Sequence, residues 1–145
     1  MVFRAVLPSA PVTRLPIDVY NAKGEVDYGP AADALLDEVA AGRVVAVAVL
    51  GDPNVFSVIA PLTNALGDAA DKRDATTPPV VSISGITTFQ QLAAHAGLTL
   101  AESNETLVVL PRNFKREQLD AALAEGTNAI VVCKGGRSVP ALVEA

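Results

Sequence analysis

The sequence predicts an α/β fold with parallel strands. Segments with the apolar spacing of an α-helix alternate along the chain with short runs of β-branched residues. These runs are apolar throughout, as in strands that helices cover on both faces, and glycine turns lead from two of them into the next helix. With 145 residues, the chain is long enough to bury a core.

The first helix is predicted from "PAADALLDEVAAG", which opens with Pro30 and stops at Gly42. Its inward face is expected to carry Ala32, Leu35, Leu36 and Val39. The run "RVVAVAVL" that follows, residues 43–50, predicts a buried strand.

A second helix is predicted from Pro53 to about Leu66. Gly51 permits a sharp turn, Asp52 can accept hydrogen bonds from the free N–H groups of the helix, and Pro53 suits its first position. The polar segment 67–79 that follows predicts a surface loop.

The second half continues the alternation. "VVSIS" predicts a strand at residues 80–84, and "GITTFQQLAAHAG" a helix capped by Thr87 or Thr88 and ended by Gly97. Its expected inward residues are Phe89, Leu92, Ala93 and Ala96. A strand in "ETLVVLP", a helix in "FKREQLDAALAEG" and a strand in "NAIVVCKGG" complete the series.

Composition argues against several classes of protein. The formal net charge of −5 disfavours a general attraction to nucleic acid or to anionic membranes. No apolar run has the length of a membrane span, and "MVFRAVLPSAP" is interrupted by prolines, which favours a strand leading into a loop over a secretory signal. The single cysteine, Cys133, excludes an internal disulfide and a multi-cysteine metal site and favours a cytoplasmic location.

The turns "GDP" and "SGITT" are the candidate binding elements. Each follows a predicted strand and precedes a predicted helix. Ligands of open α/β sheets bind at the carboxyl ends of strands, where loops meet helix N-termini. Both turns are therefore expected to line one crevice.

The series of motifs resembles the tetrapyrrole methylase family, which transfers methyl groups from S-adenosylmethionine. The motifs are Gly51-Asp52-Pro53 with Phe56, Gly85-Ile86-Thr87-Thr88, Leu110-Pro111 and Lys134-Gly135-Gly136-Arg137. Within the family, the series is closest to enzymes that methylate C20 of precorrin-2 in cobalamin biosynthesis. It extends from about Tyr20 to the C-terminus.

The resemblance implies two small α/β lobes with largely parallel sheets, here residues 1–85 and 86–145, in a homodimer. The cofactor S-adenosylmethionine would contact Leu50, Gly51, Asp52, Val55, Phe56, Thr87, Thr88 and, after the last strand, Lys134. An electron-rich ring carbon of the tetrapyrrole substrate would attack the sulfonium methyl group directly, and homocysteine would leave as its adenosyl conjugate, so no catalytic residue is nominated.

The sequence departs from the family pattern in four places. The first strand with its glycine-rich loop is absent before Arg43, and the chain stops at Ala145 before the second sheet is complete, so the fold is expected to be incomplete relative to the family. Ser84 replaces the usual proline, and Ser57 the frequent glycine.

Simpler readings stand beside several of these assignments. Gly-Asp-Pro on its own is a common connector from strand to helix. His95 is expected to be solvated, Cys133 to be a small buried residue, and "CKGGRS" does not match a P-loop. Arg112, Lys115 and Arg116 either form a charged helix start or pair with the acetate and propionate groups of a tetrapyrrole.

Two functions therefore remain open. The first is a methyltransferase of the cobalamin pathway, active alone or completed by a partner chain. The second is a non-catalytic remnant that keeps the fold, with a cofactor-binding or dimerisation role only.

Overall fold

The computed structural model describes residues 11–17 and 24–133. The chain divides into two compact units. The first comprises the chain up to Ala48 together with Val58–Ser82, and the second comprises Val49–Ser57 together with the chain from Ile83 onward. The predicted lobes 1–85 and 86–145 stay a prediction. The strand predicted at the start of the chain and the turn around Lys134 lie outside the described residues.

Helix α1 spans Gly29–Ala40, as the sequence predicts to within a residue. Asp27 Oδ1 accepts a hydrogen bond from Gly29 N at 2.9 Å, and Gly42 takes φ +76° beyond the C-terminus. The buried face consists of Ala31, Ala32, Leu35 and Leu36. Val39, predicted to face inward, is exposed: it shares a helix face with Ala31 and Leu35, but burial on that face ends one turn before it.

Helix α2 spans Ile59–Lys72 and packs against α1. The predicted bounds, Pro53 to Leu66, were wrong at both ends. Residues 52–57 form turns instead of a helix, and the apolar spacing continues past Gly67 through Ala69 and Ala70. Part of the predicted 67–79 loop is therefore helical.

The core of the first unit lies between α1 and α2. Its buried members are leucines and alanines: Ala31, Ala32, Leu35, Leu36, Leu62, Leu66, Ala69 and Ala70. The partly buried Leu15, Tyr28 and Ala65 pack against this cluster. The alanines let the two helices approach closely. At the surface, Arg73 forms ion pairs of 2.6 Å with both Asp33 and Asp37, one helical turn apart on α1.

The second unit contains a parallel two-stranded sheet and two helices. Helix α3 spans Thr88–Ala96, strand β1 Leu107–Leu110, helix α4 Arg116–Ala124 and strand β2 Ala129–Val132. Leu107 pairs with Ala129 and Leu110 with Val132. This β1-α4-β2 order confirms the parallel α/β expectation for this part of the chain.

Two predicted strands are absent from the described residues. Segments 43–50 and 80–84 belong to no sheet, although their composition is that of buried strands. Val44 is 102% exposed and Val81 85%, so nothing in the described chain covers these side chains. An apolar run becomes a strand only when a neighbouring strand satisfies its N–H and C=O groups, and composition does not report that neighbour.

Helix α3 also departs from its predicted face. Ala93 is buried and Phe89 half-buried, whereas Leu92 and Ala96 are exposed. The helix has only nine residues, and no part of the described chain covers its Leu92 side. Gly97 ends it with φ +65°, as predicted.

Candidate functional site

The segment after residue 50 forms a turn that Asp52 stabilises. Gly51 has φ +81°, a conformation that glycine adopts without strain. Asp52 is 9% exposed, and its Oδ1 accepts a hydrogen bond from Asn54 N at 2.7 Å. Val55 N donates to Asp52 O at 3.3 Å. Asp52 thus accepts local N–H groups as predicted, but it closes a turn instead of starting a helix.

The same carboxylate joins this turn to a second one, 33 residues along the chain. Asp52 Oδ2 accepts a hydrogen bond from Gly85 N at 2.8 Å. Residues 51–54 and 85–88 are therefore held side by side, and we call them the turn pair. Its two members are the motifs that the sequence predicts to lie in one crevice.

Gly85 is required by the close packing of the turn pair. A Cβ atom at this position would lie 2.3 Å from Gly51 O and 3.2 Å from Gly51 C. Both atoms belong to the backbone, so no side-chain movement relieves the contact. Sequence reasoning noted a glycine turn here but did not include Gly85 among the site residues.

Thr87 is committed to the start of helix α3. Its N–H donates to Gln90 Oε1 at 3.0 Å, its hydroxyl donates to the same oxygen at 2.7 Å, and Gln90 N donates to Thr87 Oγ1 at 3.3 Å. This is a capping box, and Thr87 is buried. The pattern Thr-x-x-Gln in the sequence is typical of a capping box and could have indicated the role of Gln90, but the sequence analysis did not identify that role.

Thr88 lies in contact with the first turn and remains accessible. Its Oγ1 is 3.8 Å from the position that a Cβ of Gly51 would occupy, and the residue is exposed. Within the described part of the chain its hydroxyl has no hydrogen-bond partner. Of the two threonines predicted to meet a cofactor, Thr88 is thus the one with a free hydroxyl.

Three apolar side chains of the first turn segment face solvent. Leu50 is 99% exposed, Phe56 53% and Val55 38%. Phe56 has φ +46°, an uncommon backbone conformation for an aromatic residue. The segment 49–57 therefore offers apolar surface beside the turn pair.

The predicted basic cluster lies in the connection from β1 to α4. Arg112, Lys115 and Arg116 are all exposed. Arg116 forms an ion pair with Asp120 at 2.7 Å, so part of its charge is already compensated. Neither Arg112 nor Lys115 has an ion-pair partner among the residues the structure describes, and Lys115 lies at the start of α4.

The remaining candidates from the sequence are His95, Cys133 and Lys134. His95 is exposed, as predicted, and Cys133 is half-buried at the end of β2. Lys134 lies outside the described residues. Across residues 11–17 and 24–133, no group of three or more His, Cys, Asp or Glu residues could hold a metal ion.

Comparison with known proteins identifies the family. The tetrapyrrole (corrin/porphyrin) methylases match the chain over residues 3–145, and the chain belongs to this family. It is also 35% identical over 113 residues to a precorrin-2 C(20)-methyltransferase from Sinorhizobium sp. That match covers 78% of this chain and 42% of the relative, so the chain spans less than half the length of the relative.

None of the helices described here is both long and apolar enough to cross a membrane. The predicted cytoplasmic location stays a prediction.

Proposed function

We propose that the chain acts in methyl transfer from S-adenosylmethionine to a ring carbon of a precorrin, with precorrin-2 as substrate. The observation that carries the proposal is the turn pair. In a chain of the tetrapyrrole methylase family, the two motifs expected at the cofactor are joined by the Asp52–Gly85 hydrogen bond.

The residues around the turn pair offer accessible backbone, apolar surface and a hydroxyl group, which can contact different parts of the cofactor. Gly51 has no side chain, so a ligand can approach its backbone closely. Leu50, Val55 and Phe56 expose apolar surface of the kind that an adenine ring requires, and Thr88 offers a free hydroxyl for a polar group. Asp52 is given a different role here: each of its oxygens accepts one backbone N–H group and its side chain is largely buried, so we assign it to holding the two turns and not to contact with the cofactor.

The cofactor supplies a methyl group activated by its sulfonium charge. The chain would contribute alignment, through the fixed backbone of the turn pair, and partial exclusion of water, through the apolar side chains of segment 49–57. Positioning of this kind can supply on the order of 7–11 kcal/mol of a reaction barrier. No general acid or base is needed for this role, and we assign none.

Arg112 and Lys115 are proposed to bind the carboxylate groups of the tetrapyrrole. Their charges are exposed and not paired within the described chain, and they follow β1 at the carboxyl end of the parallel sheet. Arg116 is the weaker member because Asp120 compensates it. Lys134, which lies outside the described residues, is retained as a proposed cofactor contact on the family resemblance alone.

Isothermal titration calorimetry tests cofactor binding directly. We expect the purified chain to bind S-adenosylmethionine and its demethylated product, and the Gly51→Val variant to remain folded but bind neither. A β-branched residue at φ +81° distorts the first turn. Unchanged binding in this variant would move the site away from Gly51.

The second candidate, a non-catalytic remnant that keeps the fold, is favoured by one observation. Leu50, next to the turn pair, is almost fully exposed, so the described chain does not enclose the site against water. Methyl transfer would then need a partner chain that completes the cleft, and we expect no methylation of precorrin-2 by the isolated 145-residue chain. Incubation with methyl-labelled S-adenosylmethionine checks this, and turnover at ordinary enzymatic rates would favour the enzyme.

We also propose a homodimer. The support is the family resemblance together with the exposed valines and isoleucines of segments 43–50 and 80–86, because patches of this kind mark interaction surfaces. Light scattering at micromolar concentration should give twice the monomer mass, and a monomeric mass contradicts the proposal.

A further inference from the structure

Asp52 has a carboxylate that is largely buried and hydrogen-bonded to the backbone, unlike an exposed carboxylate that binds a charged ligand. Its carboxylate is 9% exposed and accepts two backbone N–H groups, one from Asn54 at 2.7 Å and one from Gly85 at 2.8 Å. Each oxygen thus has a short charge-assisted hydrogen bond to a fixed donor. A carboxylate held in this way has its position set by the backbone and not by a bound molecule.

The geometry points to Asp52 as a positioning residue: it fixes the second turn against the first and so places Thr88 for the ligand. This inference deepens the proposed function and rests on it for the identity of the ligand. It assigns Asp52 no contact with the cofactor and no role as counter-charge to a sulfonium.

The path from Asp52 to the ligand-facing groups is short. The hydrogen bond at Gly85 N fixes the backbone two residues before Thr87, which begins the capping box of α3. Thr88 follows directly, with its hydroxyl next to Gly51. A shift of Gly85 away from Asp52 therefore displaces the first residues of α3 and the free hydroxyl together.

Gly85 allows the two turns to lie this close. A Cβ at residue 85 would lie 2.3 Å from Gly51 O, so a side chain does not fit at this position without a shift of the backbone. The hydrogen bond from Gly85 N to Asp52 Oδ2, at 2.8 Å, joins the same two turns. The spacing of the turns therefore depends on Asp52 and Gly85 together.

The charge of the ligand separates positioning from direct contact. S-adenosylmethionine carries a sulfonium cation, whereas its demethylated product is a neutral thioether of nearly the same shape. A carboxylate that faced the sulfonium would favour the cation, and its neutralisation would weaken that ligand by about tenfold more than the thioether. A carboxylate that only holds the turns affects both ligands equally.

The experiment uses the full chain and two variants, Asp52→Asn and, as a matched control, Asp68→Asn at an exposed carboxylate of α2. In Asp52→Asn, an NH₂ group replaces one of the two carboxylate oxygens and faces a backbone N–H, so one of the two hydrogen bonds is lost. We expect both ligands to bind about tenfold or more weakly, with the ratio of their affinities unchanged, and Asp68→Asn to behave as wild type. A selective loss of the sulfonium ligand would overturn the inference.

A double-mutant cycle tests whether Asp52 acts through Thr88. Asp52→Asn and Thr88→Ala are measured singly and together with both ligands by calorimetry. We expect the double variant to bind no more weakly than Asp52→Asn alone, because the displaced hydroxyl no longer contributes. Additive losses would show that Asp52 does not position Thr88 and would contradict the inference.

A measurement without ligand separates this inference from the proposed function. In wild-type protein we expect the Gly85 amide to be protected from hydrogen exchange and to show a scalar coupling to the Asp52 carboxylate carbon, both lost in Asp52→Asn. An unprotected, uncoupled Gly85 amide in wild type overturns the inference even if Asp52→Asn fails to fold. If wild type binds neither ligand, the proposed function and the ligand-placing role both fail, and the amide measurements still decide whether Asp52 holds the turns.

Discussion

The helix pair α1–α2 and the turn pair are stabilised in different ways. The helices pack through eight buried leucine and alanine side chains, with ion pairs only at the surface. The turn pair is held by hydrogen bonds from backbone N–H groups to one buried carboxylate and by the direct approach of Gly85 to Gly51 O. Apolar burial is shared among many side chains, whereas the turn geometry depends on two hydrogen bonds and one glycine. The first arrangement supports a fold, and the second suits a site whose positions must be fixed.

The largest effect is expected in the helix pair. Leu66 is 5% exposed, and Leu66→Ala should lower the free energy of unfolding by about 2–5 kcal/mol through lost burial and a cavity. The matched control is Leu92→Ala, because Leu92 is 67% exposed and its truncation leaves no cavity. Urea unfolding of both variants checks the prediction, and equal losses would contradict the described core.

A single methyl group should disrupt the turn pair. Gly85→Ala places a Cβ in contact with backbone, and overpacking of this kind costs about 1–3 kcal/mol. We expect cofactor binding to be lost along with that stability. Gly67→Ala in α2 is the control: a Cβ there meets nothing within 4 Å, and the variant should be more stable by about 1 kcal/mol. The same sign for both variants would refute the close approach of the two turns.

The capping box predicts a contrast between neighbouring threonines. Thr87→Ala removes the cap of α3 and should lower stability by about 1 kcal/mol. Thr88→Ala should leave stability within about 0.5 kcal/mol of wild type, because Thr88 is exposed, and yet weaken cofactor binding. Thermal unfolding and calorimetry on both variants distinguish the roles, and a reversed order would place the cap at Thr88.

The surface ion pairs of the helix pair should contribute little. Arg73→Met removes the bonds to Asp33 and Asp37 but keeps the aliphatic stem, and we expect a small loss of stability that disappears at high salt. Arg112→Met, at an exposed arginine without an ion pair in the described chain, should show no such salt dependence. A loss from Arg73→Met that persists in high salt would indicate packing instead of charge.

The smallest expected effect is the pH dependence of stability that arises from the Glu38–Arg43 pair. A hydrogen bond from Arg43 lowers the pKa of Glu38, so this pair stabilises the folded chain above the unfolded-state pKa of Glu38 and ceases to do so as the pH falls through the folded-state value. The stability difference between wild type and Glu38→Gln should therefore be present at neutral pH and vanish in acid. In an Arg43→Met background the difference should be absent at every pH, and its persistence there would point to another partner.

Sequence reasoning was most successful where local rules decide the structure. Helix α1 with its end at Gly42, a cap at one of the two threonines before α3, the end of α3 at Gly97 and the β1-α4-β2 series follow from apolar spacing, glycine and capping residues. These features depend on neighbours within a few positions. They could therefore be predicted without knowledge of the tertiary structure. The choice of Thr87 over Thr88 as the cap came from the structure.

Prediction from the sequence was least successful where contacts between distant parts of the chain determine the local structure. The runs 43–50 and 80–84 are not strands in the described structure because no neighbouring strand pairs with them, and α2 begins late because Asp52 closes a turn that links to Gly85. The hydrogen bond that joins Asp52 to Gly85 across 33 residues leaves no local signal. The sequence identified the two motifs of the candidate site. Only the structure shows that the side chains of Asp52 and Thr87 form hydrogen bonds within the protein, whereas the hydroxyl of Thr88 forms none within the described chain.

The most direct test of the central claim is a titration of the isotope-labelled chain with S-adenosylmethionine, followed by the amide resonances of every assigned residue. We expect saturable shifts concentrated in residues 49–57 and 85–88, with the amides of α1 and α2 core residues unchanged. Shifts spread along α1 and α2, or no shifts at millimolar ligand, would contradict the assignment of the turn pair as the cofactor site.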